Sequence, residues 1–219
     1  MESLEEAPKY KTWIDALNRH GCVIHSIENL NVIHKSNGEV LFAFVHTKIE
    51  DEAHHPLVPV AVLRGPAVII VPIIEVKETH EKMLLIVKQR RIADGAIHVE
   101  FPAGMLDHDI DDPKKIAVKE VFEETGLRIQ ESDLMALHDK ALFSSPGLLD
   151  EKVYFYAFQK ILSFEQIKKI DGKSTGNSLE KEKISTTLIS FKEAKEQMTA
   201  VSSILALFFC QFLDLDRSA

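Results

Sequence analysis

The chain has 219 residues, 45% of them hydrophobic, enough for one ordinary domain or a domain with a modest extension. Its net charge of −8 gives no general attraction for a phosphate backbone, so nucleic acid is not an expected partner. Two cysteines, Cys22 and Cys210, lie far apart without CxxC spacing, which argues against a disulfide framework or a zinc site and fits a reducing compartment.

The acidic opening "MESLEEAPKY" has no apolar run, so no secretory leader is expected. "YKTWIDALNRHG" (10–21) predicts a short helix ended by Gly21, and "EVLFAFVHTKI" (39–49) a strand. Residues 54–76 carry β-branched runs broken by Pro and by Gly65, which predicts two or more strands. "KMLLIVKQRR" (82–91) is strand-like, "ADG" (93–95) a turn, and "AIHVEFPAG" (96–104) a strand entering a tight turn. After a helix discussed below, "KVYFYAFQK" (152–160) alternates as a half-buried strand does. A polar loop at 174–183, a strand at 184–190 and one or more helices within 191–215 complete the chain. The apolar run at 200–213 is too short to span a bilayer, so a membrane is not an expected partner and the cytoplasm is the expected location. The order is strand-rich rather than strictly alternating, which predicts an α+β fold or a mixed-sheet sandwich. Residues 1–60 are expected to form an accessory region and 61–219 the main domain.

The segment "DPKKIAVKEVFEETGL" (112–127) is capped at both ends. Asp112 suits the N-cap, Pro113 the first helical position and Gly126 the left-handed residue past the end. At about 100° per residue, Glu120, Glu123 and Glu124 share one arc, while Ala117, Val118, Val121 and Thr125 form an inward face. Two readings of the acidic arc compete. One is a solvated face, with Lys119 paired to Glu123. The other is a cation site, in which the repulsion between like charges is retained because a hard divalent ion is held by carboxylate oxygens, waters and substrate phosphates.

The stretch "EFPAGMLDHDIDDPKKIAVKEVFEETGL" (100–127) resembles the Nudix box. Gly104 opens it, and Glu120, Val121, Glu123, Glu124, Gly126 and Leu127 match its helix in register. Two positions depart from the pattern. Lys119 stands where the family has arginine, and the loop carries one extra residue, so Ile110 occupies the place of the family's acid. Asp111 lies eight residues before Lys119, the spacing of the family's ion pair, and Asp111–Lys119 is taken as its replacement. Lysine lacks arginine's bidentate fork.

"RGPAVIIVPI", "KQRRIADGAIHVEFPAGMLD" and "SSPGLLDEKVYFYA" look like the nucleotide-sugar diphosphatase branch, which includes ADP-ribose and ADP-sugar diphosphatases. That resemblance implies an αβα sandwich with a mixed sheet and a small β-rich N-terminal extension. It implies a homodimer in which N-terminal strands contribute to the partner's site. It also implies hydrolysis of the diphosphate of an ADP-ribose- or ADP-glucose-type substrate, with two or three Mg²⁺ ions or Mn²⁺ in their place. By matching positions, Ala103 (through its carbonyl), Glu120, Glu123, Glu124 and Glu182 are the metal group, with Glu182 also the candidate base and Glu180 its alternate. Arg91, Glu100, Arg64 and Glu151 are the candidate substrate-binding residues. Each has a plain alternative: a strand-end cation for Arg91, a structural hydrogen bond for Glu100, a dimer contact for Arg64, a structural turn for Glu151, and a solvated charge run around Glu182. His54, His55 and His98 fit no metal-ligand spacing and are read as surface or structural. A Nudix enzyme for dinucleoside polyphosphates, and a non-catalytic module that senses nucleotide sugars, are the competing functions.

Overall fold

A computed structural model describes residues 1–106, 112–175 and 184–213. In chain order its elements are α1 (Pro8–Arg19), β1 (Val23–His34), β2 (Val40–Glu50), β3 (Val60–Leu63), β4 (Ala67–Val76), β5 (Lys82–Arg90), β6 (Ile97–Glu100) and β7 (Ala103–Met105). There follow α2 (Pro113–Thr125), β8 (Met135–Ala136), β9 (Leu142–Phe143), β10 (Lys152–Leu162), α3 (Phe164–Ile167), β11 (Ser174–Thr175), β12 (Ile184–Ile189), α4 (Phe191–Gln197) and α5 (Val201–Phe212). The chain forms two compact units, 1–66 with 142–153, and 67–141 with 154–219.

In the first unit, β1, β2 and β3 form an antiparallel sheet in that order. Its core gathers Leu4, Ala7, Val40, Ala43, Val45 and Leu63, with Tyr10 and Trp13 of α1 packed against it. Helix α1 begins two residues earlier than its pattern suggests, at a proline whose missing N–H costs nothing in a first turn. Gly21 follows its end at φ 70°, a conformation that favours glycine. β1 has no counterpart in the sequence reading. Its run "VIHSIENLNVIH" mixes apolar and polar residues without a regular period of two and is mostly exposed, so it lacks the alternation that marks a half-buried strand. Segment 148–150 lies beside β3: the Val62 N–H donates to the Leu148 carbonyl at 2.9 Å.

In the second unit the strands run in the order β11-β12-β5-β4-β10-β8, with β6 on β5 and β7 on β4. β4 is buried at every position but Glu75, as a strand covered on both faces must be. Its Val68, Ile70 and Ile74 join Ile116, Ala117 and Val121 of α2 in one core cluster. α5 also contacts β4 without entering that cluster, so helices cover both faces of the strand. The fold is α+β with a mixed sheet sandwiched between helices, as expected. Residues 103–104, expected in a tight turn, instead form β7: Ala103 pairs with Ile69 and Gly104 with Val68. Among the described residues no helix is long and apolar enough to cross a membrane.

Candidate active site

The cap signals around α2 act as written in the sequence. Asp112 accepts a hydrogen bond from the Lys114 N–H at 2.9 Å, Pro113 starts the helix, and Gly126 closes it at φ 76°. Ile116, Ala117, Val121 and Thr125 are buried, and Val118 packs partly against the same cluster. That inward face fixes the rotation of the helix and so aims its carboxylates.

The carboxylates meet β7. Glu124 is only 6% exposed, and its Oε2 accepts the Ala103 N–H at 3.1 Å. Glu120 lies against Gly104: a β-carbon at residue 104 would fall 2.1 Å from Glu120 Oε1 and 2.4 Å from its Cγ. Glu123 and Lys119 are half-buried on the same helix. The solvated-face reading therefore fails for Glu124, which is buried, and for Glu120, which is seated on backbone. Among the described residues no three His, Cys, Asp or Glu side chains converge into a closed cage. Mg²⁺ does not require one, since it is usually bound through one or two carboxylates, waters and substrate phosphates. The oxygen-only set at Glu120, Glu124 and the β7 backbone fits such an ion.

Arg91 follows β5, and Glu100 ends β6 in the same unit. The Arg91 Nε donates to Glu100 Oε1 and Oε2 at 3.1 and 3.2 Å, and its Nη2 also pairs with Glu100. Glu100 is nearly buried (12% side-chain exposure), whereas Arg91 is 41% exposed, so the pair is an anchored cation facing solvent. His98 sits beside it, with Nε2 3.0 Å from Asp94 and Nδ1 3.3 Å from the Thr199 hydroxyl, a structural histidine as expected. His54 and His55 pair with Glu50 and Asp51 in the first unit.

Arg64 and Glu151 come together in the first unit as an ion pair, with Glu151 5% exposed. The sequence reading missed their neighbours. Asp150 accepts the Arg64 and Gly65 N–H groups at 2.6 and 3.0 Å, and Lys9 donates to the Arg64 carbonyl at 3.1 Å. Only the adjacency of Asp150 to Glu151 could have signalled this. Glu182, Glu180 and Asp111 lie outside the described residues.

Fold and site together define an α+β domain built around a carboxylate helix. A family model described as the NUDIX domain matches residues 63–205, well over half of the chain. The chain belongs to the Nudix hydrolase family, whose members generally use divalent metal ions. It is 34% identical over 137 residues to "Nudix hydrolase 14, chloroplastic" of Arabidopsis thaliana, covering 59% of this chain and 44% of that protein. It is 30% identical over 93 residues to "ADP-ribose pyrophosphatase" of Bacillus subtilis, covering 42% of this chain and 48% of that protein. The matches thus span under half the length of these curated relatives. A solved structure described as an ADP compounds hydrolase superposes with a TM-score of 0.60 at 18% identity, covering 90% of this chain and 97% of the other, which shows a shared fold.

Proposed function

We propose that this enzyme hydrolyses the diphosphate bond of nucleoside diphosphate sugars of the ADP-ribose or ADP-glucose type, releasing a nucleoside monophosphate and a sugar phosphate. The observation that carries the reading is the seating of Glu120 and Glu124 on the backbone of Gly104 and Ala103. The substrate class is supported by the likeness to an ADP-ribose pyrophosphatase and to an ADP compounds hydrolase.

In this reading Glu120, Glu123, Glu124 and the Ala103 carbonyl hold two or three Mg²⁺, with Mn²⁺ as substitute and Glu182 as a further ligand. Bound divalent ions supply charge neutralisation at the phosphates and a more acidic water. Glu182 takes the proton of the attacking water. Arg91, oriented by Glu100, contacts the diphosphate as charge shifts to the leaving phosphate. Arg64, paired with Glu151, is the second substrate cation. A homodimer and a cytoplasmic location complete the proposal; Cys22 and Cys210 form no disulfide, which suits a reducing compartment.

The test is product release with Mg²⁺, comparing ADP-ribose, ADP-glucose, UDP-glucose and GDP-mannose with ATP and diadenosine polyphosphates. AMP from the ADP-sugars, abolished by EDTA, is the expected result. Cleavage of polyphosphates alone would move the chain to another Nudix activity. Binding of a nucleotide sugar without cleavage would favour a sensor, and Lys119→Arg would then be the reversion to try.

A further inference from the structure

The first unit spends four charged side chains on one turn. Lys9 is 9% and Glu151 5% exposed, and Asp150 touches both the Arg64 and Gly65 N–H groups. Lys9 Nζ donates to the Leu41 carbonyl at 2.7 Å and to the Arg64 carbonyl at 3.1 Å. The peptide groups on both sides of the Arg64 Cα are therefore bound by charged side chains, and such hydrogen bonds are the stronger kind. Gly65 continues the turn at φ 82°. Beyond the backbone, Glu151 takes one edge of the guanidinium, which lies 5.9 Å from the Phe42 ring centroid. A guanidinium has five N–H donors in a fixed fork, and Arg64 keeps 39% of its side chain exposed. Its Nε is buried without a hydrogen-bond partner among the described residues, so the exposed part of the side chain lies elsewhere on the guanidinium and its stem.

We propose that Lys9 and Asp150 are positioning residues that lock the Arg64–Gly65 turn, so that the Arg64 guanidinium is held ready for an anionic group of the substrate. The inference rests on the reading of Arg64 as a substrate-binding residue. Packing alone does not call for this network, because apolar residues of similar volume usually serve a core as well as buried ions do. Burial lowers Lys9 to about 8 and raises Asp150, so both charges are held against their desolvation. Lys9 and Asp150 meet at the Arg64 backbone, Lys9 while also bonded to the Leu41 carbonyl and Asp150 while also holding the Gly65 N–H.

The experiment measures kcat and KM for ADP-ribose, together with thermal midpoints, in wild type, Arg64→Ala, Asp150→Asn, Lys9→Met and the double variant Arg64→Ala/Asp150→Asn. Arg64→Ala is expected to raise KM roughly tenfold, and each positioning variant roughly fivefold with kcat little changed. In the Arg64→Ala background, Asp150→Asn is expected to add nothing to KM, since a positioning residue has no role once its target is gone. Wild-type KM in both positioning variants, with KM raised in Arg64→Ala, overturns the inference and leaves Arg64 a substrate residue. An equal effect of Asp150→Asn in both backgrounds, or failure of either single variant to fold, overturns it in favour of a purely structural network. Wild-type KM in Arg64→Ala overturns the underlying reading itself.

Discussion

Gly104 and Glu120 occupy space that no side chain at position 104 could share: a β-carbon there would sit 2.1 Å from Glu120 Oε1. Gly104 is not among the residues with positive φ, so its role is the absent side chain rather than a special backbone conformation. The atoms it would strike belong to the flexible end of Glu120, and not to backbone. Gly104→Ala should therefore fold, at a cost of about 1 kcal/mol, because Glu120 can swing away. Turnover should fall roughly 100-fold, because the swing removes the carboxylate from its seat. Thermal melts and kcat on one preparation check this; unchanged kcat would dissociate the glycine from the site.

Glu124 separates chemistry from folding. Its Oε2 holds the Ala103 N–H, and Gln can still offer an oxygen there. Glu124→Gln should keep the thermal midpoint near that of wild type while turnover drops roughly 100-fold or more, since a neutral amide gives a cation no charge. Glu124→Ala strands a buried N–H and should also cost about 1–3 kcal/mol of stability. Near-normal rates in Glu124→Gln would sink the metal assignment.

The base is tested at Glu182, which lies outside the described residues. Glu182→Gln should lower kcat by roughly 10²–10⁴ with little change in KM. A loss of that size in Glu180→Gln instead would shift the base by two residues.

Lys9 gives the chain a pH signature. Burial moves it from its ordinary 10.5 to about 8 in the folded protein. Between those two values the unfolded chain binds more protons than the folded one, so folding stability rises with pH across that window. Below about 8 the residue is protonated in both states and contributes no slope. Urea midpoints at pH 7, 8, 9 and 10 should show wild type gaining on Lys9→Met only above pH 8. Parallel curves would place the lysine in water.

Helix α2 was legible in the sequence because its signals are local. The N-cap Asp112, Pro113 and the left-handed Gly126 act over one turn, and a period of 3.6 sorts the carboxylates from Ala117, Val121 and Thr125. The run of β4 was legible for a similar reason, since burial on both faces requires an unbroken apolar stretch. Tertiary structure alone decided the rest. Sheet register set β7 on β4, which brought Gly104 under Glu120 and Ala103 to Glu124, 21 residues away. The return of residues 142–153 to the first unit delivered Asp150 to Arg64, 86 residues apart, and the placement of α1 brought Lys9 to the same turn. β1 is mostly exposed and is held by its ladder with β2 and by Ile27 and Val32, which pack against the first unit's core. Periodicity reports which face of an element is apolar; which partner that face meets depends on pairings between distant segments, and those are settled only when the whole core closes.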